Sequence, residues 1–160
     1  MSAVDEQRVQ QALDRQAIRE LQAAYGDAVT RRAWAALVPM FRPDCPITLD
    51  LRDGRTLEHI GPEAIGAFIE KSIERFDFFE FALLNSIVAV DVGAEHATGR
   101  LYMWELRQSD GRWSNAFGLY RDRYERADGD CWVFAERRYS SLARTAPDGE
   151  GMEVFAIPPM

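Results

Sequence analysis

Histidine is almost absent from this chain, so its chemistry has to be sought among arginine, tyrosine and carboxylates. His59 and His96 are the only histidines. Neither stands at a motif spacing from a Ser or Cys nucleophile, and no G-x-S-x-G occurs. His96, in VGAEHATG, reads as an exposed hairpin residue, and His59, before Ile60-Gly61-Pro62, as a surface or structural one. Arg137, in WVFAERRY, is the foremost candidate. A buried guanidinium is costly unless paired, and Asp122 (diagonally across a hairpin) or Glu105 can pair with it, as can a ligand carbonyl or carboxylate. The phenols of Tyr25, Tyr120 and Tyr139 can orient a carbonyl or hydroxyl group. A carboxylate such as Glu105 or Asp122 can move a proton if burial raises its pKa. The bland alternatives are an internal ion pair and core aromatics with satisfied hydroxyls.

Other chemistries lack their residues. Cys45 and Cys131 are far apart, with neither CxxC nor Cys/His spacing, so no zinc site or disulfide framework is expected and a reduced, cytoplasmic setting is the default. Asp91, Gly93 and Glu95 lack the ligand series of a calcium loop. There is no Gly-rich phosphate loop, and no metal or organic cofactor is expected. The net charge of −7 argues against nucleic acid, which needs clustered Lys and Arg. No apolar run approaches the roughly 20 residues that cross a bilayer, and MSAVDEQRVQQ lacks the order of a signal peptide.

The elements that must position these groups fit one domain, with a core over about 6–144 and an irregular tail over 145–160. Val9, Leu13, Ile18, Leu21, Tyr25, Ala28 and Val29 recur at mostly helical spacing, predicting one long helix over 6–31, or two joined near Asp14. On this helix Asp27 points away from the apolar face and reads as a solvated carboxylate, while Thr30 lies on the flank. Trp34 to Phe41 forms a short second helix that Pro39 ends or kinks. A small hairpin follows over 47–60. Pro62 then opens a helix to about Arg75, followed by the aromatic run FDFFEF, a strand over 84–91 and a loop around Gly93.

From Ala97 to Tyr139, three aromatic-rich segments are separated by Asp110-Gly111 and Asp128-Gly129, the signature of a three-stranded meander. Centring both hairpins on Asp-Gly sets Leu101 opposite Tyr120 opposite Arg137, and Met103 opposite Gly118 opposite Tyr139. One face then carries Leu101, Met103, Glu105, Ala116, Gly118, Tyr120, Asp122, Val133, Ala135, Arg137 and Tyr139, which suits a cavity wall with a few directed polar groups. The other carries Tyr102, Trp104, Leu106, Trp113, Phe117, Leu119, Trp132 and Phe134. It needs a cover, which predicts a homo-oligomer, most simply a twofold dimer. Trp34, Phe41, Phe68 and Phe81 are expected to line the cavity, with Asn85 and Met103 completing it. The class is α+β, with helices on one face of a curved, mostly antiparallel sheet.

AIRELQAAYGDAVTRRAWAALVPMFRPD, HIGPEAIGAFI and WVFAERRY, in that order, resemble the SnoaL-like branch of the nuclear-transport-factor-two-like superfamily, over roughly Asp14 to Arg144. The resemblance implies a cone with the N-terminal helices and one further helix over the concave face of the sheet, and an apolar cavity for a small hydrophobic ligand. Members include dehydratases, isomerases, polyketide cyclases, epoxide hydrolases, dioxygenase small subunits and proteins with no known reaction. Dehydratase-type members use a helix Asp, a strand His and an Arg near the end of the last strand. Here these positions fall on Thr30, Phe81 and Arg137, so only the Arg carries over. The expectation is a cofactor-independent dehydratase, isomerase or cyclase acting on a small oxygenated compound. The alternatives are a module that binds without turnover and a structural subunit of a larger assembly.

Overall fold

A computed structural model describes residues 2–91 and 95–159; the loop expected around Gly93 lies outside the described residues. The chain starts with helix α1, Ala3–Thr30, a single helix. It begins where Ser2 and Asp5 form a capping box: the Asp5 N–H donates to Ser2 Oγ at 3.3 Å, and Ser2 N–H donates back to Asp5 Oδ2 at 3.2 Å. The first three turns hold Val4, Val9 and Leu13 exposed, whereas Ile18, Tyr25, Ala28 and Val29 are buried. Asp27 lies on the open side, paired with Arg31 at 2.7 Å.

After α1 the order is a 3-10 helix, Trp34–Met40, then β1 (Pro46–Asp50), β2 (Thr56–Ile60), α2 (Gly61–Ile73), β3 (Phe78–Val90), β4 (His96–Ser109), β5 (Arg112–Ala127), β6 (Cys131–Thr145) and β7 (Met152–Val154). FDFFEF is therefore mostly strand, and β3 begins six residues before the expected start. The strands form one curved, unclosed sheet in the order β2-β1-β6-β5-β4-β3, with β7 also on β6. It is mixed, because β1 runs parallel to β6 while the other pairings are antiparallel. The tail expected to be irregular supplies β7. It then crosses the convex face, where Arg52 Nη2 donates to the Ala156 carbonyl at 3.1 Å and Arg121 Nη1 to the Pro159 carbonyl at 3.1 Å.

The first meander turn matches its reading. Asp110 and Gly111 both have positive φ (51° and 74°), the two-residue turn that suits the twist of a hairpin. Leu101 pairs with Tyr120, and Met103 with Gly118. The second turn does not match. Positive φ falls on Gly129 and Asp130, Ala127 pairs with Cys131, and a bulge follows between Arg123 and Tyr124. One residue added by the turn and one by the bulge shift the register by two. Asp122 therefore faces Arg137 directly, Tyr120 faces Tyr139, and Gly118 faces Ser141.

The bulge also moves side chains between faces. Trp132 and Phe134, expected on the outer face, turn toward the helices. Trp132 Nε1 donates to Asp14 of α1 at 3.3 Å, and Phe134 packs on Tyr25 at 5.8 Å between ring centroids. Val133 correspondingly leaves the Arg137 face. The core is the space between α1 and the concave face, filled by Ile18, Tyr25, Val29, Phe81, Leu101, Met103, Tyr124 and Phe134. Among the described residues no helix is long and apolar enough to cross a membrane.

Candidate functional site

Two adjoining features occupy the concave face: a closed polar cluster around Arg137 and an open cavity beside it. Arg137 is 1% exposed and Asp122 4%. Their bond is bidentate, Nε to Oδ1 at 2.9 Å and Nη2 to Oδ2 at 3.1 Å. The cluster extends inward, since Tyr124 Oη donates to Asp122 Oδ2 at 2.9 Å, Gln22 Nε2 donates to Tyr124 Oη at 2.8 Å, and Ser86 Oγ donates to Gln22 Oε1 at 2.5 Å. Three rings enclose the guanidinium, with Tyr25, Tyr120 and Phe134 at 4.3, 4.0 and 4.1 Å from centroid to Cζ. Such contacts are worth about 2 kcal/mol or more each when desolvated. Arg137 Nη1 is buried with no hydrogen-bond partner among the described residues. Burial works against the charge on Arg137, but Asp122, Tyr25 and Tyr120 outweigh it and raise its pKa. Burial pushes the Asp122 carboxyl up, against the Arg137 charge and the Arg137 and Tyr124 hydrogen bonds.

On the far side of Tyr25 and Tyr120 lies a cavity of about 260 Å³. Tyr25, Phe81, Tyr120, Tyr139 and Glu105 line it, with apolar walls from Leu49 and Leu51 of β1 and from α2. α2 presents Ile65, Phe68, Ile69 and Ile73, and Ser72, Arg75, Phe76 and Arg107 also contribute. Glu105 is fixed by Arg107 two residues along β4, whose Nε lies 2.9 Å from Oε2. The phenols are held by packing. Tyr120 and Tyr139 sit 5.0 Å apart, and the Tyr139 ring lies where a Cβ on Gly118 would be, 2.1 Å from it. Burial raises the phenol pKa values of Tyr25 and Tyr120 despite the Arg137 charge, and that of Tyr139 with help from Glu105. They are therefore neutral hydrogen-bond donors.

Of the residues expected to form the site, the cavity gathers Tyr25, Phe68, Phe81, Glu105, Tyr120 and Tyr139. Arg137 and Asp122 stand behind the tyrosines. Met103 is fully buried in the core, and Phe41 packs on Phe134 at 4.8 Å. Trp34 faces Gly66 on α2 away from the cavity. Asn85 is exposed at a β-bulge between Leu83 and Ser86. Thr30 Oγ1 accepts the Phe81 N–H at 2.9 Å, so the two positions assigned to an Asp and a His meet in space but carry no acid or base. Apart from Phe68, the α2 and β1 linings lie outside the expectation, although Ile65, Phe68, Ile69 and Ile73 at i, i+3, i+4 and i+8 mark an apolar helix face. Among the described residues no three His, Cys, Asp or Glu side chains group as a metal site.

The SnoaL-like domain family matches residues 10–138. Solved structures with the same fold include an NTF2-like protein with a cystatin-like fold from Novosphingobium aromaticivorans, with TM-score 0.69, 23% identity and coverage of 84% of this chain and 86% of that one. A scytalone dehydratase-like protein from the same organism has TM-score 0.70 and 14% identity, covering 92% and 91%. Hexachlorocyclohexane dehydrochlorinase LinA-type3 from Novosphingobium barchaimii has TM-score 0.68 and 19% identity, covering 97% and 99%. At these identities the likeness is one of fold. No curated protein sequence matches the chain.

Proposed function

Because the chain belongs to the SnoaL-like domain family, we propose that its cavity takes a small hydrophobic compound bearing an oxygen function, and acts on it by dehydratase- or isomerase-type proton transfer. The observation that carries this reading is the lining: three neutral phenols and one carboxylate in a cavity of about 260 Å³ whose other walls are mostly apolar, with Ser72, Arg75 and Arg107 on its lining as well. Tyr25, Tyr120 and Tyr139 donate to a substrate oxygen and draw electron density onto it. Glu105 accepts the proton from the adjacent carbon, and that proton returns to another carbon or leaves with hydroxide as water. Arg137 works from behind, its charge against the faces of Tyr25 and Tyr120 holding both rings and favouring density on their oxygens. The fold neighbours described as a dehydratase-like protein and a dehydrochlorinase support this class. The test is α-proton exchange in D2O with small cyclic ketones, followed by NMR. Exchange that disappears in Glu105→Gln is expected, and exchange that survives it removes Glu105 from the reaction.

The pairing of Thr30 with the Phe81 N–H favours a second reading, binding without turnover, which predicts ligand binding with no exchange. The proposal also includes a twofold dimer through the convex face, where Trp104 stacks on Phe117 at 6.0 Å and Trp113 is 54% exposed.

A further inference from the structure

One charged group on the cavity lining has no part in the proton transfer proposed above. Arg75 and Arg107 both lie against the ring of Phe76, with Cζ 4.9 and 5.4 Å from its centroid. Arg107 spends Nε and Nη2 on Glu105 Oε2, so those two charges offset each other. Arg75 forms no ion pair and no side-chain hydrogen bond among the described residues, and its contact with the Phe76 ring leaves the N–H edge of the guanidinium open. Neither neighbouring carboxylate pairs with it. Asp77 accepts the Asp110 N–H at 3.0 Å, and Glu74 lies with Glu70 and Lys71 in a separate groove against Trp34. Nor is Arg75 needed at the end of α2, because Arg32 Nη2 donates to the Ile73 and Phe76 carbonyls at 3.3 and 2.7 Å. Arg75 is exposed and marks the opening of the cavity, whereas Tyr25 and Tyr120 are buried. The lining thus runs from buried phenols, past the apolar walls of α2 and β1, to a single unbalanced positive charge, in a chain whose net charge is −7.

We infer that the cavity selects a carboxylic acid, whose carboxylate meets Arg75 at the opening while its second oxygen function reaches the phenols. The inference rests on the reading of the cavity given above and narrows its substrate class. A carboxylate matches the planar edge of a guanidinium with two parallel hydrogen bonds, and at an opening in contact with solvent the attraction weakens with salt. The probes are 4-oxocyclohexanecarboxylate and its primary amide, matched in shape and titrated calorimetrically into the full chain at low salt. The acid is expected to bind roughly tenfold or more tightly than the amide, with a preference that shrinks as sodium chloride is raised. Arg75→Gln brings the acid down to the level of the amide, Arg31→Gln on the open side of α1 keeps the preference, and Ile69→Trp, filling the cavity, removes binding of both. An amide that binds as well as the acid, or a preference that survives Arg75→Gln, overturns the inference and leaves the cavity reading standing. Acid binding that survives Ile69→Trp overturns it too, since the carboxylate is then held outside the cavity. Binding of neither compound also overturns it, and the exchange experiment above then decides the cavity reading on its own.

Discussion

At the scale of single residues, Arg137 is the instructive case. Its type and place near the end of WVFAERRY predict a buried charge needing a partner, and Asp122 is that partner. The pair is held by two hydrogen bonds, three rings and a chain of donors reaching Gln22 and Ser86. It ties α1 and β3 to the meander, while the phenols and Glu105, not the Arg137–Asp122 pair, line the cavity. Breaking a buried pair from one side strands a charge, at a cost of about 3–5 kcal/mol. Asp122→Asn should therefore lose about that much in urea unfolding, whereas Glu105→Gln, at the cavity wall, should lose under about 1 kcal/mol. Equal losses would mean that Glu105 is the structural carboxylate.

At the scale of elements, close packing places the site groups. Gly118 leaves room for the Tyr139 ring, so Gly118→Ala must push that ring out of place. A loss of about 1–3 kcal/mol is expected, together with weakened cavity binding. Wild-type binding in Gly118→Ala would show that Tyr139 is not needed. The elements also show what was legible in the chain. Alternation and the first Asp-Gly turn placed Leu101, Met103, Gly118 and Tyr120 in their true register. The second turn and the bulge moved Asp122 opposite Arg137 and carried Trp132 and Phe134 inward. A bulge is chosen by the packing of Tyr124 and Phe134 against α1, a contact between segments far apart in sequence. Likewise, the apolar face of α2 is visible in its spacing, but only the fold brings it over Glu105 and Tyr139. The tail gained β7 because β6 extends past Tyr139 and offers it an edge, which local composition does not reveal.

At the scale of the molecule, burial of so many phenols ties stability to pH. The pKa values of Tyr25, Tyr120, Tyr124 and Tyr139 are raised above 10 in the folded state, chiefly by burial. The unfolded chain ionises these phenols near pH 10 while the folded chain keeps them protonated. The stability they contribute is therefore present below pH 10 and falls as pH rises beyond it. Denaturant unfolding at pH 9 and pH 11, with phenolate absorbance as the second signal, should show stability falling as pH rises, with phenolate appearing as the chain unfolds. Phenolate appearing before unfolding would contradict the burial. Sedimentation at micromolar concentration should find a dimer, and a monomer would leave the aromatic end of the convex face without the proposed cover. The central claim is that the cavity holds a small hydrophobic oxygenated compound through its phenols. The most direct test is thermal unfolding with small apolar ketones and alcohols and their hydrocarbon counterparts, on wild type, Tyr120→Phe and Ile69→Trp, the last filling the cavity. The account predicts a ketone or alcohol that raises Tm in wild type, less in Tyr120→Phe and not in Ile69→Trp. Stabilisation that persists with the cavity filled, or that the hydrocarbon matches, would contradict it.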